Sequence, residues 1–140
     1  MSDRFFLDTN IFAYTFDSAS ARKAALAGRL IHDALDSHKG VISFQVVHEF
    51  FNLALRKFRH PMSIAQAEQY LATVFRPLLT VHSSAALCSE ALRLHGQGGL
   101  SWYDALIVSA AQASGCDVLF SEDLQHGRKF GKLQIKNPFL

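Results

Sequence analysis

The first acidic residue after Met1-Ser2-Asp3-Arg4 stands directly behind a short apolar run, and that arrangement recurs along the chain. Arg4 to Leu7 reads as a strand and stops at Asp8. Val41 to Phe44, Leu78 to Val81 and Asp117 to Phe120 are similar runs, and Leu133 to Lys136 is a candidate fifth. Stretches with helical periodicity separate them. Short apolar strands alternating with helices imply a mainly parallel sheet, flanked by helices on both faces. In such sheets ligands bind beyond the carboxyl ends of the strands. That edge is where chemistry is expected.

The intervening helices have legible ends. Ser20 to His38 places Ala24, Leu26, Leu30, Ile31, Ala34 and Leu35 on one face, and Gly40 breaks it. Gln45 to Phe58 reads as a helix, and Pro61 ends that segment. Ser63 caps a further helix to about Phe75. Ser84 to His95 runs into Gly96-Gln97-Gly98-Gly99, and Ser101 opens a helix to Ser114 with Gly115 closing it. The chain has 140 residues, 49% of them hydrophobic, enough for one core and one domain over 1–140. We find no repeat, linker or low-complexity segment.

Net charge is +2, which permits an acidic partner without arguing for one. Cys88 and Cys116 belong to no metal-binding motif and read as buried free thiols, as expected in a reducing compartment. No run reaches the roughly 18 apolar residues of a membrane span. The apolar stretch before Asp8 is too short for a secretory signal. A soluble, cytoplasmic protein without membrane association is expected.

Four carboxylates fall where the sheet edge should be. Asp8 follows the first strand, and Ser121-Glu122-Asp123 follows the fourth. Asp104 sits in the first turn of the helix opened by Ser101, and Glu49 about one turn into the helix after the second strand. Each has an ordinary alternative. Asp8 suits a turn or helix N-cap, and Ser101-x-x-Asp104 resembles a capping box. Ser121-Glu122-Asp123 could be a polar loop, and Glu49 a rim glutamate paired with a base. Together, four acids at one edge would repel one another unless a cation sat among them. Mg²⁺ and Mn²⁺ take oxygen ligands of this kind. Clusters of that type hydrolyse phosphodiesters by activating water and stabilising the leaving oxygen.

Four segments then resemble the acidic motifs of PIN domains, in order and at comparable spacing. They are Phe6-Leu7-Asp8-Thr9-Asn10-Ile11, Val47-His48-Glu49-Phe50, Trp102-Tyr103-Asp104-Ala105-Leu106-Ile107 and Leu119-Phe120-Ser121-Glu122-Asp123. The resemblance covers nearly the whole chain. It implies a PIN-like, Rossmann-like three-layer α/β sandwich whose central sheet has about four to five strands. It also implies a metal-dependent endoribonuclease using Mg²⁺ or Mn²⁺. At this length the chain looks most like a VapC-type toxin of a bacterial toxin–antitoxin pair, which implies an RNA substrate, an antitoxin partner and a homodimer. The apolar faces around Phe50, Phe51 and Val74 could serve a dimer or the core.

Carried over residue by residue, Asp8, Glu49 and Asp104 match the core metal ligands and Asp123 the fourth acid. Glu122 beside it leaves that last assignment open. Thr9, Asn10 and Ser121 match supporting or substrate-binding positions, and Thr9 and Asn10 equally suit plain turn chemistry. Arg128, Lys129 and Lys132, and secondarily Arg56, Lys57 and Arg59, are candidate phosphate contacts or a solvated charged face. His126 lies near the acidic loop and reads as a surface histidine. Of Trp102 and Tyr103, one is expected in the core; the sequence gives no support for base stacking.

Rival readings remain. A phosphatase of the haloacid dehalogenase type would need a second Asp where Asn10 stands, and a receiver domain would need an acidic pair after the first strand. A catalytically silent PIN-like scaffold binding RNA or protein, and a DNA-directed nuclease, are the alternatives closest to the main expectation.

Overall fold

A computed structural model describes residues 3–140. The sheet has the strand order β3-β2-β1-β4-β6-β5. Its members are β1 (Phe5–Leu7), β2 (Gly40–Ser43), β3 (Leu79–Val81), β4 (Val118–Phe120), β5 (Lys129–Phe130) and β6 (Leu133–Lys136). All neighbours are parallel except β5 and β6. The helices are α1 (Thr9–Ala13), α2 (Ala21–Ser37), α3 (Phe44–Ala54), α4 (Ile64–Tyr70), α5 (Arg76–Leu78), α6 (Ala85–Gly98) and α7 (Trp102–Ala113). A π-helical turn, Leu71–Phe75, joins α4 to α5.

The α/β architecture is the expected one, with a mostly parallel sheet flanked by helices. The sheet carries six strands rather than four to five. The extra one, β5, has two residues, paired as Lys129 with Gln134 and Phe130 with Leu133. A segment so short and charged carries no alternation to read. The central position of β1 explains its composition. It pairs on both sides, Phe6 opposite Val41 and Leu119, and Phe6 and Leu7 are fully buried. Strands covered on both faces are apolar throughout.

Helix ends follow local chemistry. Ser63 and Gln66 form a reciprocal capping box at the start of α4, and Ser20, Ser84 and Ser101 cap α2, α6 and α7 through their hydroxyls. α2 is closed by His38 in the left-handed region, φ 60°, not by Gly40. Gly40 has another task. It opens β2 directly beneath α2, where an added Cβ would stand 2.2 Å from Ala34 Cβ. α3 ends at Ala54, earlier than Phe58, and α6 runs on through Gly98, past His95.

One continuous apolar core joins the sheet to helices on both sides, with Phe12, Phe50 and Phe75 at its centre. Phe12 and Phe50 each meet the ring of Phe75 edge-on at 5.1 Å. Phe50 therefore belongs to the core, and Phe51 and Val74 are half-buried against it. Of the two free thiols, Cys116 is buried as expected, but Cys88 is exposed on α6. Among the described residues, no helix is long and apolar enough to cross a membrane.

Candidate active site

Strand order brings the four motifs to one place. β1 is flanked by β2 and β4, so the segments leaving all three strands share the carboxyl edge of the sheet. Asp8 leaves β1 and caps α1. Glu49 lies on α3, which starts directly after β2. Ser121 and Asp123 leave β4, and α7 brings Asp104. Asp8, Glu49, Asp104 and Asp123 all line one cleft of about 350 Å³.

Each acid is held by a neighbour. Asp8 is the most enclosed, 6% exposed. Its Oδ1 accepts the Thr9 backbone N–H at 2.7 Å and its Oδ2 the Ser121 hydroxyl at 2.7 Å. The same Ser121 hydroxyl accepts the Asp123 backbone N–H at 3.2 Å. Thr9 Oγ1 donates to Glu49 Oε1 at 2.8 Å, and Asn10 Nδ2 donates to Asp123 Oδ2 at 3.0 Å. Asp104 N–H rests on the Ser101 hydroxyl, and its carboxylate has no side-chain partner among the described residues. Thr9, Asn10 and Ser121 thus all stand in the site, each with its side chain against an acid.

Burial pushes the Asp8 carboxyl up to about 7. The bonds from Ser121 and Thr9 oppose that rise, and the negative charges of Asp123 and Glu49 add to it. Burial is the largest of these influences, and the two neighbouring carboxylates are the smallest. No three of the described His, Cys, Asp and Glu side chains converge tightly enough to hold an ion as they stand. The donor set still suits a hard divalent cation, being all oxygen and anionic, with Asp8 buried and the buried Asn10 Oδ1 lacking a partner.

Glu122 faces elsewhere. It forms an ion pair with Lys23 Nζ at 2.6 Å and accepts the Tyr14 hydroxyl, and Lys23 foremost, then Tyr14, hold its carboxyl below the usual range. Lys23 also lies over the rings of Tyr14 and Phe139. Glu122 thereby anchors the loop that carries Asp123. Arg128 and Lys129, candidates for phosphate contacts or for a solvated charged face, do not line the cleft, and neither do Lys132, Arg56, Lys57 and Arg59. Arg128 donates to Gly98 O at 2.7 Å and lies over the Phe130 ring at 4.6 Å. Lys132 pairs with Asp117 at 3.5 Å. His126 Nδ1 accepts from Asn137 N–H at 2.9 Å, a purely local contact.

Sequence reasoning passed over Tyr14, Gln45 and Asn52, which also line the cleft. A signal was available. Gln45 and Asn52 stand four residues before and three after Glu49, on its helix face, and Tyr14 stands one turn after Asn10. Gln45 Nε2 donates to Tyr103 O at 3.2 Å, tying the start of α3 to the start of α7.

The fold and this acid-lined cleft define a PIN domain, and the sequence pattern of that domain matches residues 5–130. The chain belongs to the PIN-domain family. Among solved structures it is similar to VapC20 of Mycobacterium tuberculosis, described as a sarcin–ricin-loop-cleaving toxin, at 25% identity. That match covers 85% of this chain and 91% of the other, with a TM-score of 0.60. A toxin–antitoxin complex from Klebsiella pneumoniae matches at 18% identity over 95% and 96%, with a TM-score of 0.66. VapBC2 of Rickettsia felis, bound to a promoter DNA fragment, matches at 19% identity over 95% and 97%, with a TM-score of 0.64. No curated protein matches the sequence.

Proposed function

We propose that this protein is a Mg²⁺- or Mn²⁺-dependent endoribonuclease, the toxin of a bacterial type II toxin–antitoxin pair. The observation that carries the reading is the shared cleft of Asp8, Glu49, Asp104 and Asp123 in a PIN domain. The likeness to VapC20, described as cleaving an RNA loop, supports RNA as the substrate class. The likeness to toxin–antitoxin complexes supports an antitoxin partner. By the same reading, residues 1–140 form one domain that works in the cytoplasm as a homodimer.

Asp8, Glu49, Asp104 and Asp123 would hold the cation. Bound there, a divalent cation supplies an activated water and neutralises charge developing on the phosphodiester. The chain's own groups set the geometry. Ser121 and the Thr9 N–H fix both oxygens of Asp8, Thr9 aims Glu49, and Asn10 aims Asp123. Among the described residues, no Lys or Arg lines the cleft. The protein supplies anionic ligands there and leaves positive charge to the cation.

The test is cleavage of a structured RNA pool and a matched DNA pool by the purified protein, in Mg²⁺, Mn²⁺ or EDTA, beside Asp8→Asn and Asp104→Asn. The reading requires cutting of RNA that needs the metal and disappears in both variants. Turnover that persists in EDTA or in Asp8→Asn refutes it. Cutting confined to DNA replaces the substrate class.

A further inference from the structure

A second cavity, of about 460 Å³, opens beside the acidic cleft. Gln45, Glu49, Asn52 and Tyr103 line both, so the two form one trough with carboxylates at one end. The other end has different chemistry. Among the described residues, Glu49 on the shared wall is the only carboxylate lining it, and no Lys or Arg does. Its walls carry aromatic rings beside the aliphatic Val81, Leu87 and Leu106: the Phe44 ring centroid lies 4.9 Å from that of His48 and 5.6 Å from that of His82. Tyr103 stands on the shared wall, 63% exposed although it is a large aromatic residue. Ser43 also lines this cavity, and its buried hydroxyl has no hydrogen-bond partner. A buried polar group left unpaired is costly in a folded protein, and a ligand that meets it recovers that cost.

We propose that this cavity is a nucleobase subsite for single-stranded RNA. It takes a base adjacent to the scissile phosphate, stacked on Tyr103, with its polar edge toward Ser43, Asn52 and Gln45. The inference rests on the nuclease reading and extends it to substrate recognition. Continuity supports it, because the adjoining trough lies within reach of a base next to a phosphate held at the carboxylates. The chemistry supports it as well. A phosphate would want the permanent positive charge of Lys or Arg, and among the described residues neither lines this cavity. A planar, uncharged ring with hydrogen-bonding edges fits aromatic walls interrupted by amides and a hydroxyl.

The experiment measures binding rather than turnover. The Asp8→Asn protein, in Mg²⁺ buffer, is titrated with a fluorescent single-stranded RNA and with copies carrying one abasic nucleotide stepped along the strand. We expect one abasic position to weaken binding by about tenfold, the scale of one stacked base. Tyr103→Ala and His82→Ala added to Asp8→Asn should weaken the intact strand similarly and no longer sense that abasic position. Tyr103→Phe, which keeps the ring, should restore binding. Equal binding of intact and abasic strands, or an unchanged affinity in Tyr103→Ala, overturns the subsite. If Tyr103→Ala spares RNA but abolishes capture of a protein inhibitor, the surface belongs to that protein and the proposal falls. Wild-type cleavage measured in parallel separates the readings. Metal-dependent cutting without a base effect leaves the nuclease standing and removes only the subsite, whereas absence of both RNA binding and cutting removes both.

Discussion

Ser121 donates its hydroxyl proton to Asp8 Oδ2 at 2.7 Å, across 113 positions of sequence. Ser121 Oγ in turn accepts the Asp123 N–H. One buried hydroxyl therefore joins the acid after β1 to the acid after β4. Ser121 is also the strongest influence holding the Asp8 carboxyl down against burial. Ser121→Ala is expected to raise Asp8 above its value of about 7. Loss of the bond should destabilise the fold by about 1–3 kcal/mol. Carbon-detected titration of the carboxyl and urea denaturation measure the two effects. An Asp8 titration unmoved by the substitution would contradict this linkage.

Asp8 also makes the metal-free fold sensitive to pH. Its carboxyl moves from an ordinary 3.8 to about 7 on folding, chiefly through burial. The folded state therefore holds the proton more tightly than the unfolded state. This contribution is fully favourable below about pH 4. It is lost as pH rises toward 7, and above 7 the buried charge costs on the order of 4 kcal/mol. In EDTA, Asp8→Asn should be more stable than wild type at pH 8, with the gap closing toward pH 4. Melting temperatures across that range test it. A gap that widened on acidification would reverse the sign and defeat the argument.

Glu122 and Asp123 are neighbours in sequence with separate duties. Asp123 lines the cleft, while Glu122 does not and is tied to Lys23 and to Tyr14 of the cleft wall. Asp123→Asn is expected to lower Mn²⁺ affinity and cleavage by about 10–100-fold. Glu122→Gln should change either by only a few-fold, with a stability loss below about 1 kcal/mol for a partly exposed pair. Isothermal titration with Mn²⁺ on both variants decides between them. The opposite ranking would make Glu122 the ligand.

Much of this was legible because the signals are local. Apolar runs ending in Asp8 and Ser121 mark strand ends, and Ser63 and Ser101 mark helix starts through bonds to residues three positions on. What could not be read were pairings fixed only by tertiary structure. Glu122 and Asp123 both follow β4, and the choice between them depends on Lys23 of α2, about a hundred positions away. Arg128 reads as a free surface cation until the carbonyl of Gly98 and the Phe130 ring are placed beside it. Cys88 sits among apolar neighbours in sequence, yet lies on the outward face of α6. Tyr103 and Trp102 are adjacent, and only the direction of α7 sends Trp102 toward the core and Tyr103 into the open.

The position of Arg128 gives a prediction about salt. A residue contacting phosphate contributes to the salt dependence of RNA binding. Arg128 instead holds the end of α6 through Gly98. Arg128→Ala should leave the slope of log affinity against log salt unchanged. It should lower stability by about 1–2 kcal/mol through the lost bond and ring contact. A shallower slope in anisotropy titrations would return Arg128 to the substrate path.

The turn between α2 and β2 holds two residues whose substitution should act in opposite directions. His38 adopts φ 60°, a region that a side chain with a Cβ enters at a cost and glycine enters freely. Gly40, two residues on, does not have a positive φ, so its requirement is space. A Cβ there would lie 2.2 Å from Ala34 Cβ and 2.8 Å from Ala34 Cα, and the latter is backbone that cannot swing aside. Gly40→Ala must push α2 off β2, and a loss of about 1–3 kcal/mol is expected, as for other overpacked sites. His38→Gly relieves the left-handed strain and should stabilise by up to about 1 kcal/mol, offset in part by the freer unfolded chain. Since β2 leads directly into α3, displacement of α2 also threatens the placement of Glu49. Denaturation midpoints of the two variants against wild type should therefore fall on opposite sides of it. Gly40→Ala as stable as wild type would mean that α2 and β2 are not in close contact at Ala34.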